Sequence, residues 1–129
     1  PVLGISECGV LTALTLGQTF GVIAILQRSI PRHLRTWGAM GVRERFVGEL
    51  AIDMGVTELG DTQRTLARMT EVGRRLRDER QAQVIVMGCA GMAAFRAPLQ
   101  QALGIPVVEP SQAAAVMALG RVRLDWESA

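Results

Sequence analysis

The sequence predicts an α/β fold, with a mostly parallel sheet and helices on both of its faces. Three observations lead there. Uninterrupted apolar runs such as Phe20–Leu26 suit parallel strands that are covered on both sides. Segments with apolar residues three and four apart alternate with those runs. The 129 residues, 49% of them apolar, are enough for one core in one domain.

Taken in order, Pro1–Ile5 reads as a short buried strand and Gly9–Gly17 as a short helix closed by its glycine. Phe20–Leu26, apolar and rich in β-branched residues, is the clearest strand. Ser29 offers an N-cap and Pro31 a first-turn proline, so a helix is expected toward Met40. Glu49–Met54 reads as a further strand. Asp61 is expected to cap the longest helix, running to Arg80, with Leu66, Met69, Gly73 and Leu76 on one apolar stripe. Gly73 would permit close packing on a sheet, and Glu71 and Arg75 are spaced for an ion pair on the opposite face. A strand through Met87 follows, then a helix from Met92 to Leu103 and a Gly104-Ile105-Pro106 turn. Val107–Val108 reads as a strand, and Ser111 as the cap of an Ala-rich helix reaching Leu119. Residues 121–129 read as a polar tail, and no internal repeat is evident.

From Phe20 onward the alternation suits a flavodoxin-like strand order. In that order the first and third strands are neighbours at the switch point where ligands bind. Those two strands end at Leu26 and Gly88, so Gln27-Arg28-Ser29 is expected to face Cys89 across a crevice.

Composition narrows the function. The net charge is +2, and all fourteen basic residues are Arg, interspersed with acids. A nucleic-acid surface would concentrate its basic residues and interleave aromatics, which make up only 4% here. No apolar stretch reaches the eighteen or so residues that a membrane helix needs, and the first residues lack a secretory layout. A cytoplasmic location is the expectation. The two cysteines lie too far apart for a metal knuckle, and one pair makes no disulfide framework. His33 stands in an Arg-rich turn without ligand spacing and reads as a surface or boundary residue. Gly88-Cys89-Ala90-Gly91 is too short for a phosphate loop and lacks its lysine.

Val84-Ile-Val-Met-Gly-Cys-Ala-Gly-Met92 carries the chemistry. A buried strand followed by this turn sets one thiol where a strand ends and a helix begins. Backbone N–H groups at a helix start favour a thiolate, so Cys89 is a candidate nucleophile or general base. The amides of Ala90 and Gly91 are candidates to hold a substrate oxygen as charge develops on it. Met87 and Met92 read as core. The competing reading of Cys89 is a buried, inert cysteine.

These residues resemble the aspartate/glutamate/hydantoin racemase superfamily, most closely its hydantoin- and allantoin-racemase-like branch. Three blocks carry the resemblance in order: Pro1-Val-Leu-Gly-Ile-Ser-Glu7; Phe20–Leu26 with Arg28-Ser-Ile-Pro31; and Val84–Met92 followed by Leu103-Gly-Ile-Pro-Val-Val-Glu109. The resemblance implies a two-lobed enzyme with one cysteine from each pseudo-symmetric half. One thiol removes a proton beside a carbonyl and the other returns one to the opposite face, with no metal or organic cofactor. Residues 1–19 then match the last strand of lobe one with a crossover helix, and 20–120 match the second lobe. The family's first cysteine lies upstream of the matched segment. A short natural product and a fragment, a homo-oligomer and a missing amino-terminal lobe, all stay open.

On this reading Cys89 is one acid/base thiol, and Ala90, Gly91, Gln27 and Ser29 help to bind a small carboxylate or hydantoin substrate. Arg28 is available to a carboxylate. Cys8 is expected near the same sheet edge after a strand, as a possible second thiol or a packing residue, with Glu7 fixing the turn. Ala24 and Ile25 stand where family members often carry hydroxyl residues. Two other readings are kept. Related arylmalonate decarboxylases use one cysteine, at the position that Cys89 matches, to protonate an enolate after carbon dioxide is lost. A non-enzymatic dimeric remnant or interaction module would cover its exposed cleft with a second copy.

Overall fold

A computed structural model describes residues 2–126 of the chain. Four parallel strands form one sheet: β1 (Phe20–Ala24), β2 (Phe46–Ala51), β3 (Val84–Met87) and β4 (Val107–Val108), in the order β2-β1-β3-β4. This is the expected flavodoxin-like order, with the first and third strands adjacent. Helices α1 (Ile5–Leu16), α2 (Ile30–Ala39), α3 (Thr62–Asp78), α4 (Arg96–Leu103) and α5 (Pro110–Arg123) complete it.

The strand side chains alternate between two cores. Phe20, Val22, Val84 and Val86 pack with residues of α1, α2 and α5, including Val10, Trp37 and Ala113. Ile23, Ile85 and Met87 pack on the other face with Met69, Val72, Leu76, Leu99 and Leu103 of α3 and α4. Each fully buried aliphatic side chain contributes about 1.5–3 kcal/mol, so the sheet is held from both sides.

Several expectations need correction. Val2–Gly4 is not a strand; the chain there is irregular and extended, and α1 begins at Ile5, earlier than expected. A strand exists only with a ladder partner, and Val2–Gly4 has none among the described residues. Pro1 lies outside the described residues. β1 ends at Ala24 rather than Leu26. β2 starts three residues before the expected Glu49, although the pairing expected toward Met54 persists as Ile52 N–H to Ala24 O (2.9 Å) and Met54 N–H to Ile25 O (3.3 Å). Beside β1, β2 slips register between Phe20 and Gly21, a bulge that blunts an edge strand.

The caps also differ from expectation. Asp61 does cap α3, its side chain accepting from Arg64 N–H at 3.1 Å. Ser29 does not cap α2. The 3-10 turn Gln27–Ser29 runs straight into that helix, leaving Ser29 already helical (φ −79°, ψ −26°). At α5 the cap is Glu109, not Ser111. Pro110 takes the first helical position, which has no use for an N–H, and the Glu109 carboxylate accepts from Ser111 N–H (2.9 Å) and Gln112 N–H (2.7 Å). α5 also continues to Arg123, so the expected tail at 121 is still helical there; 127–129 lie outside the described residues.

On α3, Glu71 pairs with Arg68 (2.8 Å) and Arg75 with Glu79 (3.6 Å), not with each other. Gly73 permits close packing, but against Leu103 of α4: a Cβ there would sit 2.7 Å from Leu103 Cδ1. Near the end of α3, Arg77 donates to the Leu103 carbonyl and to Asp78, and the hydrogen bond from Arg77 holds the Asp78 carboxyl below its usual range.

Candidate active site

The sheet is parallel, so the loops after β1, β2 and β3 leave from one edge, where α/β folds place ligands. Cys89 lies there, two residues past β3. Its approach is narrow: Gly88 N–H donates to Ile23 O at 2.8 Å, and a Cβ on Gly88 would lie 2.7 Å from that same oxygen. Only glycine lets the chain cross the end of β1 so closely.

Cys89 has an extended backbone (φ −148°, ψ 133°) and occupies the N-cap position of a 3-10 helix, Ala90–Phe95. Its carbonyl accepts from Met92 N–H at 3.1 Å, while its thiol makes no capping bond. The thiol is half-buried, against the core shared with α3 and α4. A Cβ built on Gly91 would sit 3.6 Å from Cys89 Sγ, 3.3 Å from Leu59 Cδ1 and 4.0 Å from Val56 Cγ1. The cysteine therefore packs on apolar side chains, and Ala90 and Gly91, which follow it, are exposed. Part of the expectation fails here. The α-helix expected from Met92 starts only at Arg96, so the thiol faces six residues of 3-10 helix rather than an α-helical dipole. The first amides of any helix still lack an intrahelical acceptor, which leaves those of Ala90 and Gly91 available in kind.

The turn Gln27–Ser29 leaves the neighbouring strand. Gln27 N–H donates to Asp53 Oδ1 (3.2 Å), and Ser29 N–H donates to Leu26 O (3.0 Å). Asp53 adopts a left-handed backbone (φ 53°) beyond β2. Leu26, Gln27, Arg28, Asp53, Gly55 and Glu58 line an open cavity of about 470 Å³. The 3-10 turn Val56–Gly60 joins this cavity to the cysteine: Glu58 lines the cavity, and Leu59 packs toward Gly91.

Cys8 is set apart. It lies in the first turn of α1, not after a described strand, and is 2% exposed. It packs with Val10, Phe20 and Val84 on the sheet face opposite the Cys89 side. His33 is a boundary residue, one of the two places expected for it: its Nδ1 hydrogen-bonds Glu49 Oε1 at 2.5 Å, and the side chains are 12% and 0% exposed. Glu49 and Asp53 escaped the sequence reading. An acid inside a strand covered on both faces was the available signal for Glu49; nothing marked Asp53.

Comparison with known proteins extends this picture. The sequence profile of the Asp/Glu/Hydantoin racemase family matches residues 1–118. The hydantoin racemase of Rhizobium meliloti is 34% identical over 122 residues, covering 92% of this chain and 49% of the relative. That of Paenarthrobacter aurescens is 29% identical, covering 99% and 55%. The crystal structure of allantoin racemase from Pseudomonas fluorescens superposes with a TM-score of 0.93 at 32% identity, over 97% of this chain and 54% of that one. The chain thus spans about half the length of the relatives it matches.

Proposed function

Since this chain belongs to the Asp/Glu/hydantoin racemase family, we propose that it supplies one half of a cofactor-independent racemase centre, with Cys89 as one of two thiol acid/base groups. Residues 20–120 act as the second lobe, and α1 with the segment before it joins that lobe to the first. The observation that carries this reading is the place of Cys89: half-buried, at the end of β3, on the sheet edge from which the loops after β1 and β2 also leave.

The chemistry is a proton transfer on each face of one carbon. The Cys89 thiolate takes the proton from the carbon next to a carbonyl. The freed electron pair forms a carbon–carbon double bond as the carbonyl electrons move onto oxygen, and the Ala90 and Gly91 amides donate to that oxygen. A thiol on the opposite face then returns a proton to the carbon, which inverts the stereocentre. Gln27 and Ser29 flank the substrate, and Arg28 meets a carboxylate where the substrate has one. The substrates are hydantoins or small carboxylates.

Cys8 cannot be that opposite thiol while it stays enclosed across the sheet. Lobe two therefore needs a second cysteine-bearing surface. The pair α1 and α5 also exposes Leu11, Leu16, Val116, Leu119 and Val122 to solvent, an apolar face that a partner lobe would cover. The purified chain is expected to show no racemisation of hydantoins or acidic amino acids, measured by optical rotation, unless a second protein supplies that surface. Robust turnover by the chain alone would overturn this account, and its loss in Cys8→Ser would then identify the second thiol.

A second reading rests on the lone thiol at this edge and the apolar core cluster it packs against. One such thiol suffices to protonate an enolate left by loss of carbon dioxide. Carbon dioxide release from an arylmalonate without racemisation would favour that decarboxylase.

A further inference from the structure

We infer that Glu49, acting through His33, is a positioning residue for the Gln27–Ser29 turn. The inference rests on the racemase reading only for what that turn holds, not for how it is held.

Glu49 is the acid in the middle of edge strand β2, and its side chain is completely buried. Oε1 accepts from His33 Nδ1–H, while Oε2 is buried with no hydrogen-bond partner. A buried carboxylate with one partner strongly disfavours losing that partner, because desolvation is then uncompensated. The bond therefore fixes where His33 sits. Among the described residues it is also the one side-chain hydrogen bond that ties α2 to another element. The far half of α2 is held differently, by the Trp37 ring against Phe20 and Phe46, at centroid distances of 6.1 and 6.5 Å.

His33 lies one helical turn after Ser29, and Ser29 runs into α2 without a break. Fixing His33 thus fixes the exit of the turn. Its entrance is fixed by Asp53, whose Oδ1 accepts from Gln27 N–H. Both anchors belong to β2 or the residues just past it. The edge strand sets the turn, and so sets Gln27 and Ser29 relative to the strand end that carries Cys89.

Glu49→Leu keeps bulk and removes the acceptor, while Glu49→Gln keeps an acceptor for Nδ1–H. Amide hydrogen exchange of Gln27 and Ser29 reports the turn, that of Phe20–Ala24 reports the core, and iodoacetamide alkylation reports Cys89. In Glu49→Leu, exchange in the turn is expected to rise tenfold or more, with core exchange and Cys89 alkylation within twofold of the parent. Glu49→Gln should restore the turn to within threefold. The inference is overturned if turn exchange in Glu49→Leu stays within twofold, if turn and core accelerate together, or if Glu49→Gln behaves like Glu49→Leu. An inert Cys89 in the parent would instead count against the racemase reading and leave the exchange result standing.

Discussion

Cys89→Ser is expected to lower racemisation by the two-lobed centre about a thousandfold, within the range for loss of a general acid or base. The change is nearly isosteric and the thiol caps nothing, so folding and substrate binding should persist. What goes is acidity. A serine hydroxyl remains protonated at neutral pH, whereas a thiolate is within reach. Loss of one thiol stops inversion in both directions, because each direction needs both faces. Solvent-deuterium wash-in at the substrate carbon, read beside optical rotation, would show whether exchange on the remaining face survives. Retention of more than a tenth of the activity would mean that another group performs the transfer.

Gly88→Ala is expected to cost about 2–4 kcal/mol of stability, about 1–3 from overpacking and about 1 from a weakened hydrogen bond. The added methyl would meet Ile23 O at 2.7 Å and Ala24 Cα at 3.3 Å, both backbone atoms that cannot rotate away. Either β1 and β3 part, or the Gly88 N–H to Ile23 O bond fails. Gly60→Ala is the control, since no atom lies within 4 Å of its Cβ position. Urea unfolding of the two variants should separate them clearly. A loss of under about 0.5 kcal/mol in Gly88→Ala, the scatter of ordinary surface changes, would mean that the strand ends yield easily.

The parts of the fold that depend on local pattern were legible. Apolar runs located β1 and β3, the three- and four-residue spacing located α3, and Asp61 marked its cap. The alternation of elements then led to the correct strand order. What escaped depends on partners distant in sequence. Glu49 and His33 are sixteen residues apart, and no spacing rule pairs a helix residue with a strand residue. Ser29 and Ser111 have the right chemistry for caps, but Gln27–Ser29 was already helical and Pro110 moved the cap to Glu109. Cys8 follows an apolar run that reads as a strand ending at the sheet edge, yet the helix begins at Ile5 and turns its thiol into the core. At the candidate site, the Gly-Cys-Ala-Gly turn was legible as a turn because strand, turn and return strand occur in order. The cavity at Asp53 and Glu58 was not, since it forms only where the loops after β1 and β2 converge.

The most direct test is the alkylation of both cysteines by iodoacetamide, followed site by site by mass spectrometry across a pH series, with and without hydantoin or allantoin. Cys89 should react at least a hundredfold faster than Cys8, accelerate as pH rises because the thiolate is the attacking species, and slow when either compound is present. Equal, slow rates for the two sulfurs, untouched by pH or by either compound, would contradict the account.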